Sequence, residues 1–282
     1  MRKSAQTAIK LIEWGAGHPV VLIHGSASDH RTWEHQIEAF GACFHVVTYS
    51  RRYHWPNQKI SDGAEYSMAE QVDDLLELLL SQDTANAHLV GHSYGAYLAL
   101  MATIREPGLV EKLVLAEPPV IPLFTSFPPE PQEILGLLVT RPRTAVPIIR
   151  FAATGLGPAT SAARKDDMDE AMSYFGNAVL GSKAFAALSP TRLEQVRVNF
   201  SKAELLSDTF MLPLNQRDVA NIEAQTLLVT GEKSPTFLHR LTDRLEELMP
   251  NTERMKIPEA SHIMHEDSPE AYNQAVLSFL QK

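Results

Sequence analysis

The octapeptide Leu89-Val90-Gly91-His92-Ser93-Tyr94-Gly95-Ala96 decides the fold of this chain. An apolar run leads into Gly-x-Ser-x-Gly, and an apolar helical pattern follows as far as Ile104. This pattern predicts a very tight turn between a strand and a helix, with a serine hydroxyl at its tip. A backbone N–H at the start of that helix would point at negative charge developing beside the hydroxyl. The octapeptide therefore indicates Ser93 as a candidate nucleophile.

Short apolar runs alternate with amphipathic helical patterns on both sides of this stretch. Runs without polar residues are typical of parallel strands covered on both faces, and Pro19–Ile23 is such a run. The alternation predicts an α/β protein with a doubly wound, mostly parallel sheet. The predicted strands are Pro19–Ile23, Phe44–Tyr49, Ala87–Val90, Lys112–Ala116, Gln225–Thr230 and Arg254–Ile257.

The alternation stops between residues 118 and 221. Prolines cluster at the start of this segment, several helical patterns follow, and no run has the composition of a buried strand. We therefore predict a helical cap at 118–221, inserted into an α/β core made of residues 1–117 and 222–282.

Composition and charge exclude several classes of partner. The chain has 282 residues, a formal net charge of −9 and no block of basic residues, which argues against nucleic acid and anionic membranes. Its single cysteine, Cys43, excludes an internal disulfide and fits a reducing compartment. No segment is apolar for long enough to span a bilayer, and Met1–Trp14 lacks an apolar stretch of signal-peptide length. We expect a cytoplasmic protein that binds a small molecule, and a homo-oligomer stays open.

A serine hydroxyl needs a base, a group that orients the base, and donors for an oxyanion. In the architecture predicted here the histidine comes last in the chain. The loop after the last strand contains His262 and His265, and His262 lies closer to the strand end. His92 is expected to pack or to hydrogen-bond beneath Ser93.

Two backbone N–H groups are candidate donors to the oxyanion. The strand Pro19–Ile23 ends in His24-Gly25-Ser26, at the carboxyl edge where open α/β sheets hold ligands. We predict the N–H of Ser26 as the first donor and that of Tyr94 as the second.

The His24-Gly25 turn, the segment Gly91–Gly95 and the late His262 together resemble the α/β-hydrolase fold superfamily. The resemblance covers 19–117 and 225 to the carboxyl terminus, and residues 118–221 fall where the family inserts a cap. It implies Ser93 as nucleophile, His262 as general base and the two amides as the oxyanion hole. Tyr49-Ser50-Arg51-Arg52-Tyr53 stands where many members have Asp-x-Arg-Gly-x-Gly, and it lacks the aspartate and the glycines.

The acid that orients the histidine departs from the common pattern of the family. Ser234 stands where many members carry an aspartate. Two carboxylates remain, Glu232 in the same loop and Glu117 at the end of the strand Lys112–Ala116. Because a charge at the end of a buried strand is costly without a partner, we favour Glu117 and keep Glu232 as the alternative.

The presumed cap is rich in aromatic and apolar residues and would enclose a largely apolar pocket over the serine. His24 and Trp33 are candidate pocket residues. No cluster of arginine or lysine marks a site for an acidic substrate, and neither a metal site with zinc-type spacing nor a cofactor is expected.

These features favour a serine hydrolase that cleaves a neutral ester or lactone through an acyl-enzyme. Two alternatives stay open: cleavage of another acyl bond, either an amide or a carbon–carbon bond, and a ligand-binding homologue with little turnover. Epoxide hydrolases and dehalogenases of the family need a carboxylate nucleophile, so Ser93 argues against both.

Overall fold

A computed structural model describes residues 9–61, 64–82 and 86–282, and within them the chain forms a seven-stranded sheet. The predicted lack of an apolar leader concerns a stretch whose first eight residues lie outside this range. The strands are β1 (Leu11–Trp14), β2 (Pro19–Ile23), β3 (His45–Tyr49), β4 (Ala87–His92), β5 (Val110–Ala116), β6 (Gln225–Gly231) and β7 (Thr252–Ile257).

The strands are ordered β1-β3-β2-β4-β5-β6-β7. Every neighbouring pair is parallel except β1 with β3, which is antiparallel. The predicted mostly parallel sheet is therefore confirmed. The sequence pattern missed β1, because most of its side chains are exposed and its residues show no apolar run.

Helices cover the sheet or lie between β5 and β6. They are α1 (Glu34–Gly41), α2 (Met68–Leu80), α3 (Tyr94–Arg105), α4 (Pro131–Thr140), α5 (Pro142–Phe151), α6 (Gly157–Arg164), α7 (Met168–Leu180), α8 (Ser182–Ala186), α9 (Pro190–Asn199), α10 (Lys202–Leu206), α11 (Gln216–Ala220), α12 (Thr236–Leu248), α13 (Met264–Asp267) and α14 (Pro269–Leu280). None of the described helices has an apolar stretch long enough to cross a membrane.

Burial on both faces explains why β2 lacks polar residues. Every residue of β2 is buried. Val21 and Ile23 belong to an apolar cluster that includes residues of α2, α3 and α12, whereas Val20 and Leu22 belong to a second cluster with residues of α14. Since side chains alternate across a strand, one run of apolar residues serves both layers.

The helices α4 to α11 lie between β5 and β6, where a cap is predicted, and both apolar and polar groups join this segment to the rest of the chain. The ring of Phe151 stacks on that of Phe237 in α12 at a centroid distance of 4.3 Å. The Tyr94 hydroxyl donates to the carbonyl of Phe210 at 2.9 Å, and the Tyr97 hydroxyl donates to that of Leu212 at 2.7 Å. On the other side, the Asn199 amide donates to Oδ2 of the buried Asp29 at 2.7 Å. The cap is thereby attached to α3 and to the segment after β2.

Gly95 is required where α3 crosses the end of β2. A Cβ at this position would lie 2.2 Å from the carbonyl oxygen of Ile23 and 2.5 Å from that of His24. Both obstacles are backbone atoms, so a side chain could fit only if the helix moved away from the strand.

We predict that Gly95→Ala lowers the free energy of unfolding by about 1–3 kcal/mol or more, since forcing extra atoms into a packed interior usually costs this much. Gly108→Ala is the matched control, because a Cβ there meets nothing within 4 Å. Urea unfolding followed by circular dichroism measures both. Equal stability of the two variants would contradict the close approach described above.

Candidate active site

Ser93 occupies the turn between β4 and α3. Its backbone has φ 52° and ψ −121°, a conformation that non-glycine residues rarely adopt. The Ser93 N–H donates to the carbonyl of Ala116 at 2.8 Å, and the Ser93 carbonyl accepts from the N–H of Ala96 at 2.9 Å. Such strained residues cluster at functional sites, where surrounding contacts hold them in place. The turn therefore fixes Ser93 at the carboxyl edge of the sheet.

Glu117 and His262 meet at the same edge. Glu117 follows β5 directly and also has a positive φ, of 48°. Its Oε2 lies 2.6 Å from Nδ1 of His262, which is in the loop after β7. Glu117 is fully buried and His262 is 4% exposed. The structure thus brings together the favoured carboxylate and the favoured histidine.

Two further groups donate hydrogen bonds to the Glu117 carboxylate. The N–H of Gly231 donates to Oε1 at 3.0 Å, and the Ser234 hydroxyl donates to Oε2 at 3.0 Å. Ser234 occupies the position at which the resemblance led us to expect an aspartate. Its hydroxyl instead donates a hydrogen bond to the carboxylate of Glu117. The alternative, Glu232, is exposed, and its Oε2 accepts from the N–H of Glu259 at 2.9 Å.

Burial is the main influence on both groups of this pair. It raises the pKa of Glu117, and the hydrogen bonds from Ser234 and Gly231 oppose that rise. Burial lowers the pKa of His262 below its ordinary value. A neutral imidazole whose Nδ1–H donates to an ionised Glu117 satisfies all three donors around the carboxylate.

His92 and His265 support His262 from below. His92 Nε2 lies 2.7 Å from the carbonyl oxygen of His262, so its N–H donates there. The His92 ring also packs against the rings of His262 and His265, at centroid distances of 4.7 and 4.6 Å. His265 is fully buried in α13, with Nε2 2.9 Å from the Thr32 hydroxyl. It has no direct contact with Glu117 among the described residues.

The turn His24–Ser26, here called the oxyanion turn, lies beside Ser93. A Cβ on Gly25 would be 3.0 Å from Cβ of Ser93. Ser26 follows Gly25 and lines the same cavity as Ser93, while Tyr94 begins α3. The two amides predicted as oxyanion donors thus belong to residues that line the same cavity as Ser93.

Arg51 hydrogen-bonds to the oxyanion turn from the core of the protein. Its guanidinium donates to the carbonyl of Gly25 at 3.0 Å and to that of His24 at 3.2 Å. Its backbone N–H donates to Nε2 of His24 at 2.9 Å. Arg51 is only 1% exposed. Sequence analysis assigned it no role, although it is the residue of Asp-x-Arg-Gly-x-Gly that this chain retains.

A cavity of about 200 Å³ lies between the core and the cap. Ser93, His262, Ser26 and Tyr94 contribute to its lining. Most of the remaining lining is apolar, with aromatic residues of the cap that include Phe151, Phe175, Phe200 and Phe210. The buried carboxylate of Glu204, in α10, also lines the cavity and was not singled out from the sequence, since its helical pattern gave no sign of burial.

The two tentative pocket residues do not line this cavity, and that prediction was wrong. The His24 side chain is fully buried within the core, with Nδ1 2.8 Å from the carbonyl oxygen of Gly25. Trp33 is fully buried in the apolar cluster that contains Val20, and its ring lies 4.5 Å from that of His265. Both residues follow β2 closely in the chain, but their side chains face the interior of the core.

In the described part of the chain, the group whose geometry could hold a metal ion is His18, His88 and Glu111. It lies at the amino-terminal edge of the parallel strands, opposite Ser93. Burial lowers the pKa of His88 to about 4, and the neighbouring His18 and Lys112 lower it further. The cation of Lys112 also disfavours a second positive charge. We assign the group no part in the site.

Comparisons with known proteins identify the family of this chain. A model of the alpha/beta hydrolase family matches residues 20–275. The chain is 25% identical to the "Putative carbamate hydrolase RutD" of Yersinia enterocolitica over 268 residues, which cover 94% of this chain and 88% of that protein.

Solved structures share the fold. A thermophilic esterase from Thermogutta terrifontis aligns with a TM-score of 0.75 at 17% identity, covering 99% of this chain and 96% of the esterase. An enol-lactonase from Burkholderia xenovorans LB400 aligns with a TM-score of 0.69 at 17% identity, covering 99% and 98%. At this identity the likeness concerns the fold alone.

Proposed function

The chain belongs to the alpha/beta hydrolase family, and we propose that it is a serine hydrolase of carboxylic esters or lactones that acts through an acyl-enzyme. The observation that carries the proposal is the 2.6 Å contact between Glu117 and His262 at a cavity that Ser93 also lines. A nucleophile, a base and a buried orienting acid are the three parts that this chemistry needs.

The proposed reaction begins with proton transfer from Ser93 to His262. Glu117 accepts the hydrogen bond of Nδ1–H, which leaves Nε2 free to take the proton from the Ser93 hydroxyl. The serine oxygen then attacks the carbonyl carbon, and the negative charge of the tetrahedral intermediate is placed on the former carbonyl oxygen. The N–H groups of Ser26 and Tyr94 would stabilise this oxyanion.

The second half of the reaction regenerates the serine. The intermediate collapses as His262 gives its proton to the leaving alkoxide, and the acyl group stays on Ser93. A water molecule then transfers a proton to His262 and attacks the acyl carbon. Collapse of the second intermediate releases the acid and returns the proton to the serine oxygen.

The cavity supports a small, largely apolar substrate. Aromatic side chains of the cap surround it, and its volume of about 200 Å³ suits a compact ester or lactone. An active serine hydrolase also fits better than an inert ligand-binding homologue, because Glu117 and His262 have perturbed pKa values and are paired at the cavity that Ser93 lines, a combination typical of catalytic sites.

A second candidate is hydrolysis of a carbamate or an amide with the same residues. The similarity to the RutD protein over 94% of this chain favours it. Faster turnover of a phenyl carbamate than of the matched phenyl ester would favour this candidate over the first.

We predict that a fluorophosphonate probe labels the folded wild-type protein and that Ser93→Ala abolishes both the labelling and the hydrolysis of p-nitrophenyl butyrate. The reason is that the probe forms a covalent bond only with an activated serine. Ser182→Ala, which changes an exposed serine of the cap, is the control and should label normally. An unlabelled wild-type protein would count against the proposed mechanism.

Glu117→Gln should lower kcat by about 10³- to 10⁴-fold, because an amide can stabilise the wrong tautomer of His262. Glu232→Gln is the matched control and should leave kcat nearly unchanged, since this carboxylate is exposed and contacts Glu259 instead. Steady-state hydrolysis of p-nitrophenyl butyrate measures both. The reverse order of effects would identify Glu232 as the acid.

The pH profile should report the lowered pKa of His262. The base must be neutral, and burial moves its protonation below the ordinary value of 6.5. We expect kcat/KM to stay level as the pH falls to 6.5 and to decline only at lower pH, as the histidine becomes protonated. Initial rates of ester hydrolysis at constant ionic strength give the profile, and an acidic midpoint at or above 6.5 would contradict the assignment.

A further inference from the structure

Glu204 is a buried carboxylate inside the cavity that holds Ser93. It lies in the short helix α10 of the cap, and its side chain is 6% exposed. Ser26 lines the same cavity. Burial raises the pKa of Glu204, and the charge of Arg51 and hydrogen bonding from the side chains of Ser26 and Tyr66 oppose that rise. A carboxylate in a largely apolar cavity is costly to bury, so its presence there calls for a partner.

The charge of Glu204 is offset by Arg51, but the two groups do not form a close hydrogen bond. Oε1 of Glu204 lies 3.7 Å from Nη2 of Arg51. The Arg51 guanidinium already donates to Gly25 and His24 of the oxyanion turn and to the side chains of Tyr66 and Gln71. The positive charge is therefore shared with Glu204, whereas the short hydrogen bonds go to other acceptors.

One carboxylate oxygen of Glu204 is left without a hydrogen bond. Among the described residues, the buried Oε1 has no partner that meets hydrogen-bond geometry. The other oxygen, Oε2, lies 3.9 Å from Nε2 of His54, which is also too far for a hydrogen bond. Oε1 is enclosed beside Arg51, but the side chain of Glu204 lines the cavity. A carboxylate has about four acceptor sites, more than its neighbours Ser26, Tyr66 and Arg51 occupy, so a ligand in the cavity can supply a further donor.

The charge balance defines the kind of donor. Arg51 and Glu204 together carry no net charge, so a cationic group on the ligand would gain little beyond a hydrogen bond and would still lose its hydration. An anionic group would face the carboxylate directly. A neutral hydroxyl or N–H group can donate to the oxygen at the smallest cost of desolvation.

We propose that Glu204 is a substrate-binding residue that accepts a hydrogen bond from a neutral hydroxyl or N–H group on the acyl part of the substrate. Because Glu204 lies beside Ser26 of the oxyanion turn, this group would be only a few bonds from the scissile carbonyl. The substrate class is then a hydroxyacyl or acylamino ester or lactone with an otherwise apolar chain. This inference rests on the proposed function and specifies its substrate.

Another role for Glu204 would be purely structural, as the charge that joins the cap to Arg51. The two roles predict different kinetics. A structural role lowers activity toward every substrate in the same proportion, whereas a binding role changes the preference between substrates that differ by one donor group.

The test compares p-nitrophenyl 3-hydroxybutyrate with p-nitrophenyl 3-methylbutyrate, in which a methyl group replaces the hydroxyl. For the wild-type protein we expect kcat/KM to favour the hydroxy ester by roughly ten- to a hundredfold, as a hydrogen bond to a charged acceptor gives. Glu204→Leu should bring the ratio close to one, and Glu204→Gln, which keeps a neutral acceptor of the same shape, should give an intermediate ratio.

Glu170→Gln is the matched control. Glu170 is an exposed carboxylate of α7 that does not line the cavity, and its variant should keep the wild-type ratio. The ratio of kcat/KM between the two esters is taken within each variant, so a general loss of activity does not change it. If Glu204→Leu does not fold, Glu204→Gln still tests the proposal. Equal losses on both esters in the Glu204 variants would overturn the proposal.

Labelling by the fluorophosphonate distinguishes a wrong role for Glu204 from a wrong proposal of the serine-hydrolase function. A wild-type protein that is labelled and hydrolyses both esters at the same kcat/KM overturns the role of Glu204 alone. A protein that is neither labelled nor active on either ester overturns the serine-hydrolase function and the role of Glu204 with it.

Discussion

The carboxylate of Glu117, buried at the end of β5, is the constraint on which the candidate site depends. Burying this charge is tolerable only with several donors around it. Those donors are the N–H of Gly231, the hydroxyl of Ser234 and the imidazole of His262. They come from the end of β6, from the loop that follows it and from the loop after β7. One buried charge therefore determines how three separate segments meet beside Ser93.

The sheet makes this meeting possible because it is parallel where the site is built. The carboxyl ends of β2, β4, β5 and β6 lie side by side at one edge. The chain leaves two of these strands through strained residues, Ser93 with φ 52° and Glu117 with φ 48°. Hydrogen bonds from both backbones to neighbouring strands hold that strain: Ser93 donates to Ala116, and Glu117 donates to Val229. The pairing of the strands thus fixes the backbone positions from which the side chains of Ser93 and Glu117 extend.

Sequence patterns predicted what depends on neighbours along the chain. The fully buried strands are visible because both faces of the sheet need apolar residues, and Glu117 was favoured because a charge interrupts such a run at its end. The features that the sequence patterns did not predict depend on contacts between residues distant in the chain. Trp33 and His24 pack into the core although they follow β2 closely. The burial of Glu204 is set by Arg51, which is 153 positions earlier in the chain.

Arg51 connects the two halves of the site through one guanidinium. Its hydrogen bonds to His24 and Gly25 fix the oxyanion turn from the core side, and its charge balances Glu204 from the cap side. Buried polar groups of the site, among them Glu204 and His262, thus line the same cavity as Ser93. The cap adds aromatic side chains to the lining, and its exposed Arg164 and Asp208 add charged groups. The buried polar groups near Ser93 therefore favour a substrate whose polar atoms lie close to the scissile carbonyl and whose remaining surface is apolar.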